Sequence, residues 1–189
     1  MTTDFRAHFE NHARVVQGSI DALETASEGA VRALVAALAA GNKVLTFGNG
    51  GSSAEASHLA EELVGRYRKT RRPFPAICLT SDSGTLTCIA NDFGYEAVFD
   101  RQVEAFAQKG DVVVALTTSG KSENVLRALR TAKAQGAVTI ALTGAAGLNG
   151  VDADHVIAVP STDSAYVQEV HLMLIHVWCE AVDHSLAGE

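Results

Sequence analysis

Residues 44–53 read VLTFGNGGSS, and residues 112–122 read VVVALTTSGKS. In each, an apolar run without alternation passes straight into a loop of small and hydroxyl-bearing residues. Helical periodicity follows. A strand that is apolar at successive positions buries both faces, as in a parallel sheet covered by helices. Three further runs share this character: Ala76 to Leu79, Val138 to Leu142 and Val156 to Val159. Helical patterns fill the intervals at Ser52 to Tyr67, Tyr95 to Ala107, Asn124 to Gln135 and Asp163 to about Leu186. Strands alternating with helices predict a three-layer α/β sandwich around a parallel sheet.

Upstream, Phe5, Phe9, Val16, Ile20 and Leu23 step along one helical face. Val31, Leu34, Val35 and Leu38 form a second such stripe, stopped by Gly41-Asn42. The two are expected to make an N-terminal helical hairpin. No linker, repeat or low-complexity segment interrupts the chain. The expected organisation is one domain over residues 1–189: a helical extension to about 41, an α/β core over 42–160 and a long C-terminal helix over 163–187.

The 189 residues are 47% hydrophobic and 20% charged, a globular composition with enough apolar material for a full core. Fifteen basic against 22 acidic residues leave a net charge of −7. That balance disfavours nucleic acid or anionic membrane as a partner. Cys78, Cys88 and Cys179 form neither a disulfide framework nor a zinc module by spacing. Together with an N-terminus lacking a signal-peptide core, they point to a cytoplasmic protein with reduced thiols.

The loop after the first strand allows close backbone approach, and Ser52-Ser53-Ala54-Glu55 has capping-box spacing at the expected helix start. Free N–H groups there favour an anion. It is not a dinucleotide fingerprint, because the third glycine position holds Ser53. The second loop is not a nucleotide P-loop, because the leading glycine position holds Ala115. Four hydroxyls remain, on Thr117, Thr118, Ser119 and Ser122, with exposed amides at a helix start. That suits a phosphate monoester, placed where open α/β sheets bind ligands. The third loop, Thr143 to Gly147, offers no charge and reads as a turn.

Two helices carry metal-type or acid–base residues. His58 and Glu62 stand four apart and share a face, a spacing that serves a divalent ion or an ordinary surface contact. Glu61, one step round, is expected in solvent. In the last helix, Gln168 and His176 are embedded among apolar residues and need partners. Eight residues separate them, about 12 Å along a straight helix. One ion takes both only if the helix bends or if the two come from different subunits. The second is the favoured reading.

GNGGSSAEASHLAEELVGRYR, IANDFGYEAVFDRQVEA, GDVVVALTTSGKSENVLRAL and VQEVHLMLIH together resemble the phosphoheptose isomerases of the sugar isomerase (SIS) superfamily, in the family's order. The resemblance implies a SIS domain, flavodoxin-like with a five-stranded parallel sheet flanked by helices, assembled as a homotetramer with active sites at subunit interfaces. It implies isomerisation of sedoheptulose 7-phosphate to D-glycero-D-manno-heptose 7-phosphate, towards lipopolysaccharide or surface glycan. By motif it makes Glu62 and His176 the catalytic pair, and His58, Glu62, Gln168 and His176 the ligands of one zinc ion. Asn49, Gly50, Gly51, Asn91 and Asp92 match sugar-contact positions. Ser52, Thr117, Thr118, Ser119 and Ser122, with Glu62 and Gln168, complete the substrate site. Two departures stand out: Glu55 where Asp is frequent, and Ala165-Tyr166-Val167 where a basic residue often precedes the glutamine.

Two other classes share the fold. A replication-initiator-binding protein has similar loops but tends to lack the carboxylate and the late histidine, both present here. A sugar-phosphate-sensing regulator needs a DNA-binding module, for which the expected organisation leaves no room.

Overall fold

A computed structural model describes residues 4–187. The strands are β1 Val44–Gly48, β2 Ala76–Cys78, β3 Val112–Thr117, β4 Val138–Thr143 and β5 His155–Ala158. The helices are α1 Phe5–Ala39, α2 Gly51–Val64, α3 Ser83–Phe93, α4 Asp100–Phe106, α5 Glu123–Ala134 and α6 Ser164–Leu186. A 3-10 turn, Tyr95–Ala97, lies between α3 and α4.

All five strands are parallel, in the order β2-β1-β3-β4-β5. Side chains alternate across the sheet, which splits the core in two. Val112, Val114 and Leu116 pack with Leu34, Leu59 and Trp178 of α1, α2 and α6. Val113 and Ala115 pack with Phe47, Phe99, Val103 and Leu129 on the other face. The central strands β1 and β3 are buried throughout, as their composition predicts. The edge strand β2 is not: Ile77 is 40% exposed, having no strand beyond it. From β1 the chain leads outward to β2, and from the neighbouring β3 it leads the opposite way to β4. The crevice beyond the strand ends opens between β1 and β3, and both motif-bearing loops border it.

Two expectations are corrected, and one helix is added. The N-terminal hairpin is a single helix of 35 residues. Leu23, Ser27, Ala30, Leu34 and Leu38 form one buried stripe, in which two small residues resemble a gap. Ser27 lies there because its hydroxyl accepts a hydrogen bond from the Trp178 indole at 2.8 Å. The helix expected over Tyr95 to Ala107 is the 3-10 turn followed by α4. The segment before it forms α3, in which only Ile89 is buried, so its apolar periodicity is faint. Among the described residues, no helix is long and apolar enough to cross a membrane.

Candidate active site

At the C-terminal ends of β1 and β3 lies a small polar hollow. Asn49, Ser52, Thr117, Thr118, Ser119, Ser122 and Gln168 line it, with Leu116 at its floor. The residue types expected to bind a phosphate ester thus converge from two loops some 65 residues apart in sequence, with one addition from α6. Gly50 has φ 58° and ψ −123°, a conformation that glycine adopts without strain, and it turns the chain into α2. In the second loop Thr117 Oγ1 accepts from the Gly120 amide at 3.2 Å, and Thr118 Oγ1 meets Ser164 Oγ at 3.0 Å. Ser122 occupies the N-cap of α5 without a side-chain capping bond, so its hydroxyl is available to a ligand. The third loop is a turn, as expected, and it buttresses the second. Any side chain at Gly120 would collide with the carbonyl oxygen of Gly147.

The capping box does not form. Gly50 is the N-cap, and Ser52 already lies inside α2. The start is set one step earlier, where only glycine turns easily. Glu55 is consequently buried, and neither carboxyl oxygen has a well-formed hydrogen bond. Burial pushes its pKa from 4.5 up to about 8, partly offset by the Ser52 hydroxyl beside it. The folded chain therefore holds this proton over a range where the unfolded chain has released it. Stability should fall by about 1 kcal/mol per pH unit as pH rises from 4.5 towards 8, and level off above. Glu55→Gln is expected to flatten that slope. Melting temperatures recorded across this range check it, and equal slopes in both proteins would refute it.

Between α2 and α6 sits a second group. His58 Nε2 lies 3.3 Å from His176 Nε2 and 3.4 Å from Glu62 Oε1. Tyr67 stacks on the His176 ring, with centroids 5.6 Å apart. His58 has ligand-type spacing to both partners, whereas His176 and Glu62 make no contact within 4 Å of one another. Donors about 2.0–2.1 Å from one zinc ion stand roughly 3.3 Å apart. Among the described residues no three His, Cys, Asp or Glu side chains are gathered closely enough to hold a metal ion by themselves; the donor types and the two spacings from His58 suit a divalent ion that takes a further ligand. Glu61 points to solvent, as expected.

Arg71 holds this group's backbone. Its Nη2 donates to the Glu62 carbonyl at 2.7 Å, its Nη1 to the Leu63 carbonyl at 3.0 Å, and its Nε to Asp183 Oδ1 at 2.8 Å. Asp183 also accepts the Arg68 and Lys69 amides. Burial opposes its ionisation, but these donors outweigh it and hold its pKa below the ordinary value.

Not every expected residue joins these groups. Gln168 lies against Gly51 at the hollow, and α6 runs unbroken between it and His176. Asn91 and Asp92 are exposed on the last turn of α3, where the Asn91 amide donates to Asp92 at 2.7 Å. In the approach to Gln168, Tyr166 rests against His8, with ring centroids 5.0 Å apart. Arg71 and Asp183 carry no motif; Glu55, Tyr95 and Asn124 lie within the motif-bearing stretches without an assigned part in the site, and only their contacts mark them. For Glu55 the signal was its apolar helix face.

An anion seat at the switch point of a parallel sheet, with acid–base groups along a bordering helix, is the layout of an α/β enzyme acting on a phosphorylated small molecule. The SIS domain family model matches residues 7–144. A phosphoheptose isomerase of Aliarcobacter butzleri is 46% identical over 186 residues, spanning 97% of this chain and 96% of the relative. One from Aquifex aeolicus is 52% identical over 81% of each chain. The solved structure of a phosphoheptose isomerase from Francisella tularensis superposes with a TM-score of 0.92 at 35% identity, covering 97% of this chain and all of that one. The chain belongs to the phosphoheptose isomerase family.

Proposed function

We propose that this chain is the aldose–ketose isomerase that converts sedoheptulose 7-phosphate into D-glycero-D-manno-heptose 7-phosphate through an enediol. The observation that carries this reading is the pairing of a hydroxyl-lined phosphate hollow with the His58–Glu62 pair of α2, faced by His176 from α6. Ser52 at the hollow and the base Glu62 are ten residues apart on α2, about 15 Å of helix. That exceeds the reach of an open-chain seven-carbon sugar phosphate, so the sugar reacts at Glu62 of one copy while its phosphate sits in the hollow of a second. The hydroxyls of Ser119 and Ser122, with the α5 amides, anchor the phosphate and fix C1 and C2 in place. Glu62 takes the proton from one carbon and returns it to its neighbour. His176 moves the hydroxyl proton, each such contribution being worth roughly 10²–10⁴-fold.

His58, Glu62 and His176 would hold zinc, with Gln168 of a second copy as the fourth ligand. The ion would supply charge stabilisation for the enediolate oxygens. Nitrogen and oxygen ligands without thiolate suit zinc and tolerate other divalent ions. A coupled assay with sedoheptulose 7-phosphate tests the reading. Turnover is expected, falling strongly with a chelator while circular dichroism stays constant, and returning with zinc. Activity indifferent to chelation in metal-free protein would remove the zinc role.

The physiological setting is cytoplasmic supply of activated heptose for lipopolysaccharide or surface glycan. The working form is a homotetramer with sites shared between subunits. An apolar groove between α1 and α6, lined by Ile20, Leu23, Val31, Met173 and Val177, favours a second copy as its cover, because α6 also carries half of the metal-ligand set. Light scattering at micromolar concentration should give four times the 19.8 kDa chain mass. A stable monomer would contradict the shared site.

A further inference from the structure

Asn49 has little left to offer a substrate. Its Oδ1 accepts two hydrogen bonds, from the Tyr95 hydroxyl at 2.8 Å and from Asn124 Nδ2 at 2.9 Å. Its Nδ2 donates to Asn124 Oδ1 at 2.9 Å. An amide oxygen has two lone pairs, and both are used. Asn124 is 3% exposed, and its Oδ1 also receives the Val125 amide at 2.9 Å, so it is fixed to the first turn of α5. Three segments therefore meet at one side chain: the loop after β1, the start of α5 after the hydroxyl loop, and the 3-10 turn after α3.

Tyr95 is the member whose presence packing does not explain. It is 57% exposed, so its ring contributes little to the core. The turn that carries it is set by Gly94 at φ 88°, and from there the hydroxyl reaches a residue 46 positions away. Asn49 precedes Gly50, the freest joint of the glycine loop, and its own carbonyl accepts the Ser52 amide at 3.1 Å. Asn49 is thus the fixed end of that joint, held from one side by α5 and from the other by Tyr95.

We propose that Tyr95 is a positioning residue of the sugar-phosphate site, its hydroxyl bracing Asn49 so that the glycine loop and the hydroxyl loop keep a fixed separation across the hollow. The role rests on the isomerase reading for its substrate but on the three-way hydrogen bonding for its geometry. Losing the brace leaves the chemistry at Glu62 untouched and makes the ligand order the loop on binding, a cost that appears in KM.

The test is Tyr95→Phe in the full-length protein, which keeps the ring and removes the hydroxyl. One ordinary hydrogen bond corresponds to about a fivefold effect. KM for sedoheptulose 7-phosphate should rise about fivefold, with kcat within about twofold of the parent. The Ser52 and Ser53 amides, bonded to the Asn49 and Gly50 carbonyls, should exchange with solvent about fivefold faster, while β1 and the centre of α5 keep their protection. In an Asn49→Ala background, Tyr95→Phe should have no further effect on either readout. Unchanged KM, unchanged exchange at Ser52 and Ser53, or an undiminished effect in the Asn49→Ala background would each overturn the proposal. If the parent protein does not turn over the sugar phosphate, the isomerase reading fails, and the exchange measurement still decides the brace.

Discussion

Glu62→Gln is expected to fold and assemble like the parent and to lose at least about 10²-fold in turnover. The amide matches the carboxylate in shape but cannot accept the carbon-bound proton. The side chain is one-fifth exposed beside His58, and α2 is held by Leu59 and Leu63, so the substitution asks little of the core. Thermal melting and kcat measured on the same pure protein check this. Near-parental turnover would remove Glu62 as the base. A melt far below the parent would mean that the carboxylate is structural.

Asp183→Ala is expected to cost stability rather than chemistry, by about 3–5 kcal/mol. It leaves the Arg71 guanidinium buried against the Phe74 ring with no anion, and it removes the acceptor of two backbone amides. That loss is comparable to the whole stability of many domains, which lies at about 5–15 kcal/mol. Replacing both partners by apolar residues, Arg71→Met with Asp183→Leu, should recover part of it, because no unpaired charge remains. Denaturant midpoints of the three variants decide the matter. A cost below about 1 kcal/mol for the single change would show that water reaches the pair. Since Arg71 also holds the Glu62 carbonyl, the double variant should recover stability more fully than turnover.

Much of this architecture was legible because strand burial and loop chemistry are local properties. Val112 to Leu116 announces a strand covered on both faces, and Thr117 to Ser122 announces an anion seat, each within a few residues. The His58–Glu62 spacing is helical arithmetic, and the structure adds His176 from 118 residues away. What stayed illegible depends on partners distant in sequence. Ser27 and Ala30 look like a break between two helices until Trp178 is seen to need Ser27. Arg71 is one basic residue among several in GRYRKTRR until Asp183 faces it. Asn124 and Tyr95 gain meaning only through Asn49, 75 and 46 positions away.

The central claim is proton transfer between neighbouring carbons of a bound sugar phosphate. It is tested most directly by incubating the protein with sedoheptulose 7-phosphate in D2O and following the sugar by proton NMR. An enediol route through Glu62, whose carboxyl proton exchanges in part with solvent before it is returned, predicts an aldose 7-phosphate with partial solvent deuterium at C2, formed by the parent and not by Glu62→Gln. Unchanged ketose after prolonged incubation with zinc-replete protein, or deuterium incorporation equal in the two proteins, would contradict it.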